Sequence, residues 1–197
     1  MSQNSKNEIF NFLEILRLCS RKSLGKKIAL VSAGGGGSLG LLLSIPGASE
    51  FLHSIHLLYD RESTATFLEG YARMPEKFVS SEMSSALCDA MKARVGDRED
   101  VIVVGMTCAF TSNRERKGEN LVYISESNRH WKMTLPKKDF SLLQGETSND
   151  TSLNIANLRL TEDLTAAMLA FTFLFRDMNN EEHKKELFET FPGLSLI

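Results

Sequence analysis

A glycine-rich loop that follows a short apolar run constrains this chain more than any other feature. Residues 28–31 (IALV) have the length and the aliphatic composition of a buried strand. Four consecutive glycines, residues 34–37, come soon after, and residues 38–43 then read as the start of an apolar helix. A strand, a glycine loop and a helix in this order bring backbone N–H groups together where they can bind an anion or a developing oxyanion. Ser32 lies at the exit of the strand, where a nucleophile would lie.

The loop matches neither of the two common phosphate-binding fingerprints. It lacks a G-x-G-x-x-G motif followed by a ribose-binding acid, and it lacks the Gly-Lys-Ser/Thr ending of a Walker loop. A glycine cluster is also compatible with a plain turn. An anion site and a simple turn therefore both remain open from the loop alone.

Further short motifs follow one another in a fixed order. They are VSAGGG at residues 31–36, PGAS at 46–49, LLYDR at 57–61, FVS at 78–80, VIVVG at 101–105 and a strand-like run at 121–124. This order resembles the CinA C-terminal family, the nicotinamide-nucleotide amidases related to competence-damage proteins. In that family E-S-x-T-G-G, a G-x-S turn and a strand ending in Y-S-N-x-x-K succeed one another. The resemblance covers about residues 28–126, and it implies an α/β fold, a three-layer α/β/α domain with a mixed sheet.

The resemblance also implies a reaction. Amidases of this family convert nicotinamide mononucleotide and water to nicotinate mononucleotide and ammonia, without a cofactor or a metal ion. By resemblance, Ser32 is the nucleophile that attacks the carboxamide carbon, and Tyr59 relays or holds a proton. N–H groups of the glycine loop would stabilise the oxyanion. The residues that would contact a pyridine-nucleotide ligand are Gly34, Gly35, Gly36 and Ser49.

Several positions depart from the family pattern. Val31 replaces the family's glutamate, Gly34 its threonine, and Thr64 the lysine five residues after the tyrosine. Losing a general base typically costs on the order of 10²–10⁴ in rate, and the nearby Arg61 stays protonated and cannot replace it. Two hypotheses follow: an amidase whose activity is weak or lost, or a non-catalytic descendant that binds a nucleotide or a protein partner. Ser32 is then either catalytic or a hydroxyl that caps the loop.

Length and charge limit the remaining possibilities. At 197 residues the chain is long enough for one domain, predicted over residues 8–197 after a flexible N-terminus at 1–7. A net charge of −2 gives no electrostatic reason to expect nucleic acid or an anionic membrane as a partner. The three cysteines lack metal or redox spacing, which favours reduced thiols in a cytoplasmic protein. Residues 28–49 are uncharged, but their glycines favour a strand, a loop and a helix over a membrane span.

Apolar periodicity predicts the remaining elements. Helices are predicted at residues 9–20, 63–72, from Ser80 or Ser81 onward, 164–178 and 180–190; strands are predicted at 53–59, 101–105, 120–126 and 129–135, the last two as a hairpin. Residues 136–158 are rich in Ser, Thr, Asn and Asp without a period, which predicts a loop or a partly ordered excursion. The apolar face of the helix at 164–178 is too wide for a surface helix, which favours a homodimer contact or a central position in the core.

Overall fold

The computed structural model describes residues 25–137, 140–145, 147–173 and 179–197. The strands in these ranges are β1 (Lys27–Ala33), β2 (Leu52–Leu58), β3 (Val101–Ala109), β4 (Asn120–Glu126), β5 (Arg129–Leu135) and β6 (Leu194–Leu196). The α-helices are α1 (Arg61–Leu68), α2 (Ser81–Val95), α3 (Ser148–Thr172) and α4 (Glu181–Thr190), and 3₁₀ helices lie at Gly37–Ser44, Ala48–Glu50 and Phe140–Leu143. The predicted helix at 9–20 lies outside the described residues.

The six described strands form one mixed sheet in the order β2-β1-β3-β4-β5-β6. Strand β1 pairs in parallel with both β2 and β3, so the carboxyl ends of these three strands share one edge of the sheet. Strands β4, β5 and β6 continue the sheet with antiparallel pairing, and β6 follows α3 and α4 in the sequence. The hairpin of β4 and β5 has the predicted bounds, and its turn holds Ser127 at a φ of 53°.

Apolar side chains of β1 alternate between two cores, one on each face of the sheet. Ile28 and Leu30 belong to a core that contains residues of the 3₁₀ helix Gly37–Ser44, α3 and α4. Ala29 and Val31 belong to a second core that contains residues of α1 and α2. Because helices cover both faces, the predicted three-layer α/β/α domain with a mixed sheet is confirmed.

Helix α2 approaches β3 very closely at one glycine. A Cβ atom on Gly105 would lie 2.3 Å from the carbonyl oxygen of Ser84 and 2.5 Å from the backbone nitrogen of Cys88. Beside this contact, the fully buried hydroxyls of Ser84 on α2 and of Ser125 on β4, the residue paired with Gly105, hydrogen-bond at 2.8 Å. Only a glycine lets the helix backbone lie directly on the strand at this point.

Helix α3 corrects the prediction of a loop over residues 136–158, because the helix already begins at Ser148. Its N-cap, Thr147, forms a capping box with Asp150, and this satisfies backbone groups that the polar first turns leave unpaired. Those turns face solvent, and Ile155 is the first buried residue of the helix. An apolar period therefore does not emerge until the helix reaches the core.

The later part of α3 is a core helix. Phe171 and Phe173 are each 2% exposed, and Ala166 and Ala170 are fully buried. The predicted central core position is confirmed for this part, whereas residues 174–178 lie outside the described residues. A homodimer remains a prediction.

Candidate functional site

A cleft opens at the carboxyl ends of β1 and β2, the edge at which ligands bind in open α/β sheets. Its volume is about 400 Å³. Three segments line it: the glycine loop after β1, the end of β2, and the exposed side of α3. The lining residues are Gly35, Gly37, Leu57, Leu58, Tyr59, Ala156, Arg159, Leu160 and Asp163.

The glycine loop needs glycine for two separate reasons. Gly34 and Gly36 have φ angles of 80° and 92°, which side chains of other residues rarely tolerate. Gly35 is packed so tightly that a Cβ atom there would lie 2.4 Å from the ring of Phe110. The N–H of Gly34 donates to the carbonyl oxygen of Leu58 at 3.0 Å, which fixes the loop beside the end of β2.

A carboxylate of the protein itself lies in the loop. The N–H of Gly36 donates to Oδ1 of Asp163, and the N–H of Ser38 donates to Oδ2, both at 2.5 Å. Ser38 is in the first turn of the 3₁₀ helix Gly37–Ser44, so the carboxylate also lies at a positive helix end. Gly36 is one of the loop glycines predicted to contact an external ligand, and its N–H already has a partner within the chain.

Ser32, the predicted nucleophile, caps this loop. Its side chain is fully buried, and its Oγ donates to the carbonyl oxygen of Gly35 at 2.8 Å. A serine has a single hydroxyl proton, and here a carbonyl group accepts it. Among the described residues, no basic side chain hydrogen-bonds to Ser32.

The thiol beside Ser32 does not supply the missing base. Burial, followed by the negative charge of Asp163, raises the pKa of Cys108 well above its usual range. The thiol therefore stays protonated at neutral pH, and it does not accept a proton from Ser32.

Tyr59 lies at the mouth of the cleft and is 78% exposed. Thr64, at the position of the family lysine, is fully buried and points its hydroxyl at the carbonyl oxygen of Asp60, 2.6 Å away. Arg61 reaches the carbonyl oxygen of Glu76 at 3.5 Å. In the described part of the chain, neither position gives Tyr59 a hydrogen-bonded cation.

Ser49 lies at the other end of β1. The ammonium group of Lys27, the first residue of β1, donates to the carbonyl oxygen of Ser49 at 2.8 Å. The N–H of Ile28 donates to the carbonyl oxygen of Phe51, two residues further on. The structure brings Ser32, the glycine loop and Tyr59 together at one edge of the sheet, and it leaves Ser49 at the opposite edge.

Helix α3 contributes two charged residues that the sequence analysis did not select. Arg159 and Asp163 are four residues apart, hence on one side of the helix, and both line the cleft. Arg159 donates to the carbonyl oxygens of Thr111 at 2.9 Å and of Gly34 at 3.5 Å. The helix predicted from residue 164 leaves Asp163 just outside its start, whereas Asp163 lies deep inside α3. The available signal was an acidic pair between Leu160 and Leu164.

Glu162 fixes the rotation of α3 about its axis. It is only 4% exposed, and it accepts hydrogen bonds from the N–H of Thr111 at 2.6 Å and from the Thr111 hydroxyl at 2.8 Å. The side-chain amide of Asn120 donates to it at 2.7 Å. Because Glu162 is held in this way, its neighbour Asp163 faces the glycine loop.

The described residues contain no group of three or more His, Cys, Asp or Glu side chains that could hold a metal ion. None of their helices is both long and apolar enough to cross a membrane.

Comparisons with known proteins identify the fold. No family model matches the chain, and no curated protein matches its sequence. Among solved structures, a CinA superfamily protein from Klebsiella pneumoniae 700603 is similar, with a TM-score of 0.56 and 12% identity over 83% of this chain and 95% of that one. The competence/damage inducible protein CihA from Agrobacterium tumefaciens gives a TM-score of 0.52 and 14% identity over 82% of this chain and 95% of that one.

A third similar structure is the competence damage-inducible protein A (ComA) from Klebsiella pneumoniae subsp. pneumoniae MGH 78578. It gives a TM-score of 0.54 and 12% identity over 86% of this chain and 98% of that one. The chain therefore has the CinA-like fold that the motif order implied. At these identities the likeness extends to the fold alone.

Proposed function

We propose that this protein is a non-catalytic CinA-like domain that binds a small ligand, of the pyridine-nucleotide class, in the cleft at the ends of β1 and β2. The observation that carries the proposal is the hydrogen bond from Ser32 Oγ to the carbonyl oxygen of Gly35. A serine attacks a carboxamide only when a base removes its proton. The proton of Ser32 is bound to a carbonyl group, and Thr64 replaces the lysine of the family.

The walls of the cleft support binding of a flat ring with an anionic group. Tyr59 is exposed at the mouth, and Leu57 and Leu160 are 48% and 42% exposed beside it. Such side chains bind aromatic faces. The half-buried guanidinium of Arg159 uses one donor for Thr111 and one for Gly34, and a guanidinium has five N–H donors. The remaining donors can bind a phosphate or a carboxylate.

Calorimetry with nicotinamide mononucleotide tests this proposal. We expect the full chain to bind the nucleotide at micromolar to millimolar concentration. Arg159→Leu should weaken binding by about tenfold or more, since losing one charge-assisted contact typically costs about 1.5–3 kcal/mol. Arg98→Leu is the matched control, because Arg98 is paired with Asp100 at the surface and does not line the cleft. The control should bind as the parent protein does.

Other outcomes separate the alternatives. Binding that Arg159→Leu and Arg98→Leu weaken equally would contradict the assignment of the cleft. Without any nucleotide binding, the exposed apolar side chains of Leu57, Tyr59 and Leu160 would favour a protein partner instead. Ammonia release that depends on Ser32 would contradict the non-catalytic assignment.

A further inference from the structure

We propose that Asp163 is a specificity determinant: an internal anion that closes the glycine loop to phosphate and other oxyanions. It binds both N–H groups with both carboxylate oxygens, as an external oxyanion would bind them. An anion entering from solvent must therefore displace a carboxylate that the fold already supplies. It must also approach a second negative charge in a partly buried site.

The carboxylate of Asp163 cannot leave easily, because two residues of the preceding turn of α3 fix the helix against Thr111. Glu162 accepts three hydrogen bonds from Thr111 and Asn120. One turn earlier, Arg159 donates to the carbonyl oxygens of Thr111 and Gly34. Side-chain rotation of Asp163 alone would leave two loop N–H groups without their partner, and such groups are costly to leave unpaired when they are partly buried.

The loop also closes around the carboxylate from the other side. A Cβ atom on Gly37 would lie 3.5 Å from Oδ2 of Asp163, so a side chain at this position would itself be in van der Waals contact with the carboxylate. The left-handed conformation of Gly36, at a φ of 92°, turns its N–H toward Oδ1. The site is thus shaped to a carboxylate that is part of the chain.

The consequence for the ligand rests on the proposed function. The cleft presents Asp163 on one side and Arg159 one helical turn away. A ligand that fits this pair has its anionic group at Arg159, and it has a neutral hydrogen-bond donor or a cationic ring facing Asp163. A ligand with a phosphate in the glycine loop is excluded.

Amide NMR of the full chain, with inorganic phosphate as the first probe, tests the role of Asp163. In the parent protein we expect millimolar phosphate to leave the amide signals of Gly36 and Ser38 in place. In Asp163→Ala the same two signals should shift and saturate, with affinity raised by about tenfold or more. Asp163→Asn, which removes the charge and keeps the shape, should give a smaller gain.

Asp89→Ala is the matched control. Asp89 is exposed on α2, so its removal changes the net charge equally without touching the loop. Phosphate shifts in this control like those in Asp163→Ala would overturn the proposal. Saturable shifts of Gly36 and Ser38 in the parent protein would overturn it too, since the loop would then be open. A folded Asp163→Ala protein that does not bind phosphate would also overturn it. If Asp163→Ala does not fold, the phosphate titrations of the parent protein and of Asp163→Asn test the proposal instead.

Nicotinamide mononucleotide is the second probe, and it separates this proposal from the proposed function. If the nucleotide does not bind the parent protein, the proposed function fails, while the phosphate results still report on Asp163. If the nucleotide binds, residues around Arg159 should shift and the amides of Gly36 and Ser38 should not. Shifts of those two amides on nucleotide binding would overturn the role of Asp163 and leave the binding function standing.

Discussion

Thr64 donates its hydroxyl proton to the carbonyl oxygen of Asp60 at 2.6 Å, from a side chain that is fully buried in helix α1. This position holds a lysine in the family that the sequence resembles. The side chain of Thr64 faces inward, so it does not reach solvent. It carries no charge, so it cannot act as a cation beside Tyr59. Thr64 is therefore a packing residue and not a candidate base.

Introducing a lysine at this position should therefore damage the fold. We expect Thr64→Lys to lower the free energy of unfolding by about 3 kcal/mol or more, because it buries an ammonium group without a partner. Thr64→Val, which keeps the shape and loses one hydrogen bond, should cost only about 1 kcal/mol. Urea unfolding of both variants gives these values. A Thr64→Lys protein as stable as the parent would mean that the new ammonium reaches solvent or Tyr59.

Gly36 should tolerate no side chain. A Cβ atom there would lie 2.8 Å from both Cβ and Oγ of Ser32, in a backbone conformation with a φ of 92°. We expect Gly36→Ala to destabilise the protein by about 1–3 kcal/mol. Gly40→Ala is the control, since a Cβ atom on Gly40 would meet nothing within 4 Å. Equal urea midpoints for the two variants would contradict the geometry of the loop.

Gly105, the one glycine in the described strands, should be sensitive to substitution. Its substitution by alanine places a methyl group 2.3 Å from the backbone of α2, which cannot move by a side-chain rotation. The expected cost is at least about 1–3 kcal/mol, the range for overpacked cores. Gly118→Ala is the comparison, because the nearest atom there is a flexible arginine end 4.0 Å away. Thermal unfolding of the pair distinguishes a tight helix–strand contact from a loose one.

Acid should weaken the packing around His56. Burial, followed by the positive charges of Arg94 and His53, lowers the pKa of His56 below its ordinary value of 6.5. The unfolded chain therefore takes up this proton at higher pH than the folded one does. Stability should fall as the pH drops below about 6.5 and should stop falling below the folded pKa.

The test of this pH dependence is His56→Gln, which should flatten the slope below about pH 6.5. His53→Gln should reduce the slope only slightly, because the charge of His53 lowers the pKa of His56 less than burial or Arg94 does. Folding lowers the carboxyl pKa values of Asp60, Glu82 and Asp100. Their contribution to the stability of the fold is therefore lost only as the pH falls below about 4. An unchanged slope in His56→Gln would show that another group titrates in this range.

Short-range sequence patterns were enough to predict the β4–β5 hairpin and the start of α2. The β4–β5 hairpin and the start of α2 at Ser81, after the N-cap Ser80, follow from alternation and from a capping hydroxyl. The first half of α3 does not follow, since its polar turns face solvent. Tertiary packing and the capping box of Thr147 and Asp150 hold it in a helix.

The candidate site was only partly predictable. Ser32 and Tyr59 meet at one edge because consecutive parallel strands end there. The same rule explains Ser49: the chain must return to the amino end of β1 before β2 can run parallel to it, and Ser49 lies on that return. The contact of Asp163 with Gly36 joins residues 127 positions apart, and no local pattern encodes it.

Ammonia release from nicotinamide mononucleotide, measured side by side for the parent protein and Ser32→Ala, tests the central claim most directly. We predict that both proteins release ammonia only at the rate of the buffer, because the Ser32 proton is held by a carbonyl group and no described base reaches it. Ammonia release by the parent protein above the buffer rate, up to the turnover of about 10 per second that is the median for enzymes, would contradict the account if Ser32→Ala abolishes it.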